Sequence, residues 1–574
     1  MGIRHLDTFI RQTVPDGCFK VNIENEIREY YKAATEGKPL PSPIIVIDVM
    51  SLYVPLSRLD AESRLFGGRL YLAYLIINHF FSKLKALGVE LQFFVDGTVP
   101  SFKLKTWCER RNANYKKMID IYDAVDKGTD VETIATEIGS FVNEYAMEYL
   151  AKKHGTLSVS ILKECDQELA TFARKNNALA IIADDSDFLI YEGNWRYWSS
   201  RDIDIVTLET MEYNRPALVE HLELSFAQMP LFATLSGNDI VKFEELLPFH
   251  SSLGQYSRKF YNVAKFVRQQ PIGLPYPIDL HLVLNQAFGV HDEQMKTRFQ
   301  QSLGFYRTNG ITSNPIPSND PILDILLNHP FMYQIWYKQP YPVLLGFTDL
   351  RPKDLGQQLP ELILQILLRS AGIILYHRLK RRRYYAFPFV FKLDHESDYV
   401  QQSFPVQFPT HIEVPTLVDL HSGDQTNIPR DLDIKLKLLS WIVSDSLDYE
   451  RVKSVRWPYV ATVLTLYLLM EKGLIELFEA DLLLQVAHDV VSTSYDSRAL
   501  EIPNKVESRP FRLVFFYKNM YRFIADAIGW VGLKIGGSDV LFDGVLFHSR
   551  YAEWAKEGGG DLKDIEQWRI YAKI

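Results

Sequence analysis

Three stretches of the chain are apolar at nearly every position and end on a carboxylate: Pro43-Ile-Ile-Val-Ile-Asp48, Leu91-Gln-Phe-Phe-Val-Asp96 and Leu179-Ala-Ile-Ile-Ala-Asp184. Short apolar runs without polar alternation predict strands covered on both faces, as in a parallel sheet. Helical patterns fill the intervals, for example over 69–87 and 163–176. Strand–helix alternation predicts an open α/β sheet. Ligands of such sheets bind beyond the carboxyl ends of the strands. An acid at the end of several strands therefore predicts several carboxylates at one rim.

The pattern changes twice. Segment 101–150 is largely helical and polar, begins with a basic stretch and interrupts the sheet. After 240 strand signals fade, and 255–310 reads as helix. Proline-rich punctuation at 271–278 and 315–321 marks boundaries. The expected organisation is a sheet-bearing domain over 1–245, with a helical excursion at about 101–150. A helical extension follows over 246–315, then a mainly helical module over 320–574 with a strand-like piece at 384–392.

Length supports more than one domain, since 574 residues exceed the ~250–300 at which single cores stop growing. Hydrophobic residues at 47% and charged residues at 23% fit a folded chain. Three scattered cysteines, Cys18, Cys108 and Cys165, suit neither a disulfide framework nor a zinc site. They point to a reducing compartment, nucleus or cytoplasm. The start lacks the apolar core of a secretory signal, and Leu6 stands where myristoylation wants Ser or Thr. No uncharged apolar run approaches the ~18 residues of a membrane span. The net charge of −8 counts against a broadly basic nucleic-acid binder. An acidic metal site with local basic patches remains compatible with it.

The candidate chemistry lies in the acids: Asp48, Asp96, Glu164 and Asp166 in Lys163-Glu-Cys-Asp-Gln-Glu168, Asp185 and Asp187 in Ala183-Asp-Asp-Ser-Asp-Phe188, and Asp239 in Leu235-Ser-Gly-Asn-Asp-Ile240. Phosphodiester hydrolysis needs an activated water and a neutralised leaving oxygen, which two metal ions can supply. Magnesium takes oxygen ligands, so carboxylates suit it and Cys or His do not. Crowded carboxylates repel one another unless a cation intervenes. Each acid taken singly also fits an ordinary strand end or helix cap, and Asp184 reads as a turn residue.

These motifs, with MGI at the start, VIDVMSLY at 46–53, FVDG at 94–97 and SGND at 236–239, resemble the XPG/flap-endonuclease (PIN-like) superfamily. The resemblance spans about 1–245. It implies a mainly parallel sheet flanked by helices and seven acids around two Mg2+ ions, with Mn2+ as a substitute. Asp48, Asp96, Glu164 and Asp166 would serve one ion, and Asp185, Asp187 and Asp239 the other. It also implies a helical arch at 101–150 with a single strand of RNA or DNA threaded beneath, and Lys103 and Arg110 gripping the scissile phosphate. Lys105 and Arg111 extend that basic face, which equally fits a solvated helix. Gly2 would let the N-terminal backbone approach the site. The Gly-rich helix–hairpin–helix of flap endonucleases has no counterpart over 240–265, where Gly254 is the single glycine.

A narrower branch is also similar. PLFATLSGND (230–239) and FYNVAKFV (260–267) resemble asteroid proteins. TRFQQSLGFY (297–306), YHRLKRRRYYAFPFVF (376–391), RWPYVATVLTLYLL (456–469) and VLFDGVLFHSRY (540–551) resemble the constitutive coactivators of PPAR-gamma. Members of that branch are described as RNA-binding, scaffolding or coactivator proteins. Two functions follow: a magnesium-dependent, structure-specific nuclease of RNA or DNA, or a nuclease-fold scaffold that binds RNA and, through the C-terminal module, regulatory proteins.

Arg378, Lys380, Arg381, Arg382 and Arg383 beside Tyr384 and Tyr385 mix cations with stacking rings, as nucleic-acid contacts do. A solvated helix end or an import signal fits the same run. Phe542-Asp543-Gly544 reads as a turn, and Gly532–Gly537 lacks a P-loop lysine.

Overall fold

The computed structural model describes residues 2–33, 41–130, 133–134, 144–270, 280–289, 292–308, 320–379, 385–422, 428–492, 495–533, 541–562 and 565–573. The chain divides into two compact units, each built from separated stretches.

The first unit comprises 1–55, 79–103 and 150–317. Its strands are β1 (Cys18–Asn22), β2 (Ile44–Asp48), β3 (Glu90–Asp96), β4 (Thr156–Ser160), β5 (Ala180–Ala183), β6 (Arg196–Ser199) and β7 (Glu209–Tyr213). They form one sheet in the order β1-β7-β6-β5-β2-β3-β4. The five strands β6-β5-β2-β3-β4 run parallel, and β7 and β1 add an antiparallel edge. The expected α/β architecture with a mainly parallel sheet is present. Ile45, Val46, Ile47 and all of β5 are fully buried, which is why they read as unbroken apolar runs.

The chain runs from β2 outward to β3 and β4, then returns to the other side of β2 as β5. The direction of winding switches between β2 and β5, and a crevice opens at the strand ends of such a switch point. The helices Met229–Ser236, Lys259–Arg268 and Glu293–Phe305 pack together within this unit. The stretch beyond 245, read from sequence as a separate extension, is therefore grouped with the sheet as far as Pro317.

The second unit comprises 56–78, 104–149 and 318–574. It is mainly helical. Leu359–Ile374 and Val460–Glu471 both pack on Ser508–Trp530. A small sheet of β8 (Tyr341–Pro342), β9 (Ala386–Phe391) and β10 (Val400–Pro405) lies in the order β10-β9-β8. The strand-like piece at 384–392 is β9. The helix Leu104–Asp126, expected as one leg of an arch, packs within this unit. Its Met118, Ile121, Tyr122 and Val125 recur at helical spacing and form one apolar cluster with Phe511 and Phe515. Arg512 pairs with Asp126 at 2.7 Å. Much of 131–143 lies outside the described residues. Among the described residues no helix is long and apolar enough to cross a membrane.

Candidate metal centre

Each acid is placed by a local stop signal. Strand β2 ends where Asp48 turns its carboxylate back to accept the Met50 N–H at 3.0 Å. That bond starts the turn Met50–Leu52. Strand β3 ends at Asp96 because Gly97 lies against the neighbouring strand, donating to Ser160 O at 3.0 Å. A β-carbon at Gly97 would stand 2.4 Å from that oxygen. Glu164 and Asp166 sit at the N-terminal end of the helix Cys165–Lys175. Asp185 caps the turn Ser186–Leu189 by accepting the Asp187 N–H at 3.0 Å. Asp239 follows the helix Met229–Ser236, which Gly237 ends at φ 90°.

The result is a cluster of carboxylates at the switch point. Asp166, Asp185 and Asp187 each bring an oxygen within 4.8 Å of the others. The sequence expectation gave Asp166 to one ion and Asp185 and Asp187 to the other; the three stand together here. Burial pushes the Asp166 carboxyl well above its usual range, and Asp185, Asp48, Asp96 and Asp187 add to the rise. Burial also raises Asp48 to about 8, with Asp96 next in effect. Asp96 and Glu164 are raised by burial and drawn back by Lys103. Asp187 is raised by burial and by Asp185.

Lys103 enters from the turn Ser101–Lys103. Its ammonium is 2.6 Å from Glu164 Oε2 and 4.0 Å from Asp239 Oδ2. Burial opposes its charge, but Glu164 and Asp239 outweigh this and raise the lysine. Gly2 has φ 69° and lies against the acids. A β-carbon there would be 2.2 Å from Asp185 Oδ1 and 2.6 Å from Ser186 Oγ. The next residue fixes this approach, since the Ile3 N–H donates to Ser186 Oγ at 2.8 Å.

The donor set fits a hard cation. All candidate ligands are carboxylate oxygens. Five of the seven carboxyls are raised, first by burial and then by neighbouring carboxylates. Glu164 Oε1 is buried with no hydrogen-bond partner among the described residues.

Lys105, Arg110 and Arg111 belong to the helix Leu104–Asp126 of the second unit. Lys105 and Arg110 are exposed, and Arg111 lies 5.4 Å over the Trp107 ring. Their expected roles rest on sequence alone. The Arg378 guanidinium lies 4.4 Å over Trp336 and donates to that residue's carbonyl. Lys380, Arg381, Arg382 and Arg383 lie outside the described residues. Asp184 bonds Arg201 through one oxygen at 2.9 and 3.2 Å, apart from the cluster. Asp543 is not a turn acid. It is fully buried, caps the helix Gly544–Glu557 and accepts from Tyr495 and Ser497.

The sequence reading missed Tyr306. It is buried and donates its hydroxyl to Asp187 Oδ1 at 2.7 Å. Asn238, beside Asp239, donates to the same hydroxyl at 3.2 Å.

A family model described as "FAM120A-like domain" matches residues 222–310, the stretch that contains Asn238, Asp239 and Tyr306. The constitutive coactivator of peroxisome proliferator-activated receptor gamma from Bos taurus is 30% identical over 250 residues, covering 42% of this chain and 33% of that one. Over that stretch the chain is similar to the constitutive coactivators of PPAR-gamma. The constitutive coactivator of PPAR-gamma-like protein 1 from Mus musculus is 24% identical over 365 residues, covering 56% of this chain and 31% of that one. The chain thus spans about a third of the length of these coactivators. Among solved structures, the catalytic core of Rad2 overlaps at TM-score 0.29 and 15% identity, covering 57% of this chain and 94% of that one. The Holliday junction-resolving enzyme GEN1, in complex with product DNA and a Mg2+ ion, overlaps at 0.29 and 11%, covering 71% and 94%. Overlap at that level adds nothing to the strand order, which stands on its own.

Proposed function

We propose that this relative of the coactivators is a metal-dependent phosphodiesterase acting on RNA or DNA with single-stranded character. The observation that supports it best is the carboxylate group Asp166, Asp185 and Asp187 at the switch point of a parallel sheet. These three would hold a divalent cation, Mg2+ or Mn2+. Asp48, Asp96, Glu164 and Asp239 would hold a second or orient its waters. When bound, such ions activate a water and neutralise charge on the leaving oxygen. Lys103 keeps a cation at the rim, where it can turn from Glu164 to a phosphoryl oxygen. Gly2 leaves the backbone close to Asp185 without a side chain in the way.

The test is cleavage of labelled single-stranded and flapped RNA and DNA, with Mg2+ or Mn2+, by wild type and Asp185→Asn. Cleavage by wild type alone supports the reading. Equal cleavage by both removes it.

A second reading is a nuclease-fold scaffold that binds RNA and regulatory proteins. Two observations favour it. The stretch after Asp239 folds as the short helices Leu247–Leu253 and Lys259–Arg268 around Gly254, without a glycine-rich hairpin. The relatives are named as coactivators. Tight RNA binding without cleavage by either protein would support this second reading.

A further inference from the structure

A chain of buried hydrogen bonds leads from the helical tail of the first unit into the acidic cluster. Thr234 and Ser302 share a hydroxyl–hydroxyl bond of 2.7 Å. The Asn238 amide donates to Ser302 Oγ at 2.7 Å and to Tyr306 Oη at 3.2 Å. Its carbonyl oxygen accepts the Ile240 and Val241 N–H groups at 3.0 and 2.9 Å. With both ends of the amide engaged, Asn238 cannot flip without losing bonds. Tyr306 then donates to Asp187 Oδ1 at 2.7 Å. Thr234, Asn238, Ser302 and Tyr306 are all buried, so each broken link would strand a polar group away from water.

We infer that Tyr306 is a positioning residue: its hydroxyl fixes the rotation of the Asp187 carboxylate and so sets the affinity of the acidic cluster for a divalent cation. The inference rests on the metal reading proposed above. A carboxylate ligand has two oxygens and a free torsion, and a donor on one oxygen turns the other toward the ion. Partners of this kind are worth ~10–100-fold in metal affinity. Asp239 gains as well, because the Asn238 bonds that hold Tyr306 fix the backbone from which Asp239 projects.

Tyr191 supplies an internal control. Its ring is 5.6 Å from that of Tyr306, and it is equally buried. Its hydroxyl has no hydrogen-bond partner among the described residues. Removing it deletes the same atom from the same surroundings without touching a carboxylate.

The experiment is titration of the full chain with Mn2+, read by the paramagnetic resonance of free and bound ion, for wild type, Tyr306→Phe and Tyr191→Phe. Thermal melts in EDTA run alongside. The expected result is Mn2+ binding weakened by roughly tenfold or more in Tyr306→Phe, a changed bound-ion spectrum, and wild-type behaviour in Tyr191→Phe. Unchanged affinity in Tyr306→Phe overturns the positioning role and leaves the metal centre standing. An equal loss in Tyr191→Phe also overturns it, because packing would then be the cause. Absence of Mn2+ binding by folded wild type overturns the metal centre and this role together. Should Tyr306→Phe not fold, Ser302→Ala loosens Asn238 and carries the same expectation at smaller size, and wild-type affinity there counts against the inference.

Discussion

The ammonium of Lys103 and the carboxylate of Glu164 meet at 2.6 Å across the mouth of the acidic cluster. The pair is only partly exposed, with side chains 25% and 14% accessible, so losing one partner leaves the other poorly solvated. Lys103→Met should lower stability in EDTA by about 1–3 kcal/mol. Added Mg2+ should recover part of that loss by supplying the missing charge. Urea melts with and without Mg2+ read both effects, and a variant as stable as wild type in EDTA would mean the pair contributes nothing.

Gly2→Ala tests the close approach of the N-terminus. The added carbon would sit 2.2 Å from Asp185 Oδ1, at a φ that alanine resists. The N-terminal turn must back away or Asp185 must rotate. Local strain of about 1–3 kcal/mol is expected, with a larger loss of cleavage than of stability. Comparing initial rates with melting temperature separates the two, and unchanged rates would show that the approach has no bearing on the site.

Metal binding should register as stability. A ligand bound only by the folded state contributes about 2.7 kcal/mol at a hundredfold excess over its Kd. Mg2+ should therefore raise the melting temperature of wild type and have little effect on Asp187→Asn. Equal shifts in both proteins would place the bound ion elsewhere.

His548 sets an acid limit on the second unit. It is partly buried beside Phe66 and Phe547, and burial holds it down to about 3. Its Nε2 has no partner among the described residues. The unfolded chain takes up this proton near pH ~6.5, whereas the folded chain refuses it until about 3. Stability is therefore complete above that upper value and falls with pH between the two, by up to ~1.4 kcal/mol per unit. Melts of wild type and His548→Gln from pH 7 to 4.5 should diverge, with the variant flatter. Parallel curves would show that the histidine protonates in place.

The parallel strands were legible because double-sided burial leaves no polar alternation, and Asp48 and Asp96 end such runs. Glu164, Asp166, Asp185, Asp187 and Asp239 were expected near one rim from short motifs; Asp166, Asp185 and Asp187 meet there, and Glu164 and Asp239 flank Lys103. The edge strands β1 and β7 were not: Phe19 and Lys20 are solvent-facing, and antiparallel edges carry weak patterns. The helix Leu104–Asp126 was expected from its polar helical pattern, whereas the packing of its Met118, Ile121, Tyr122 and Val125 against Phe511 and Phe515 joins residues far apart along the chain and has no local mark. Tyr306 could not be found locally. Its partner lies 119 positions earlier, and nothing nearby marks a hydroxyl that will be buried against an acid.

That same separation shapes how the sheet and its helical tail can diverge. A fragment ending at residue 245 would keep every acid of the cluster yet lose the hydroxyl that holds Asp187. Substitutions in the tail around Ser302 and Tyr306 would then surface as altered chemistry, far from any acid. The tail and the acids are thus not interchangeable parts: replacing either alone breaks the Tyr306–Asp187 bond.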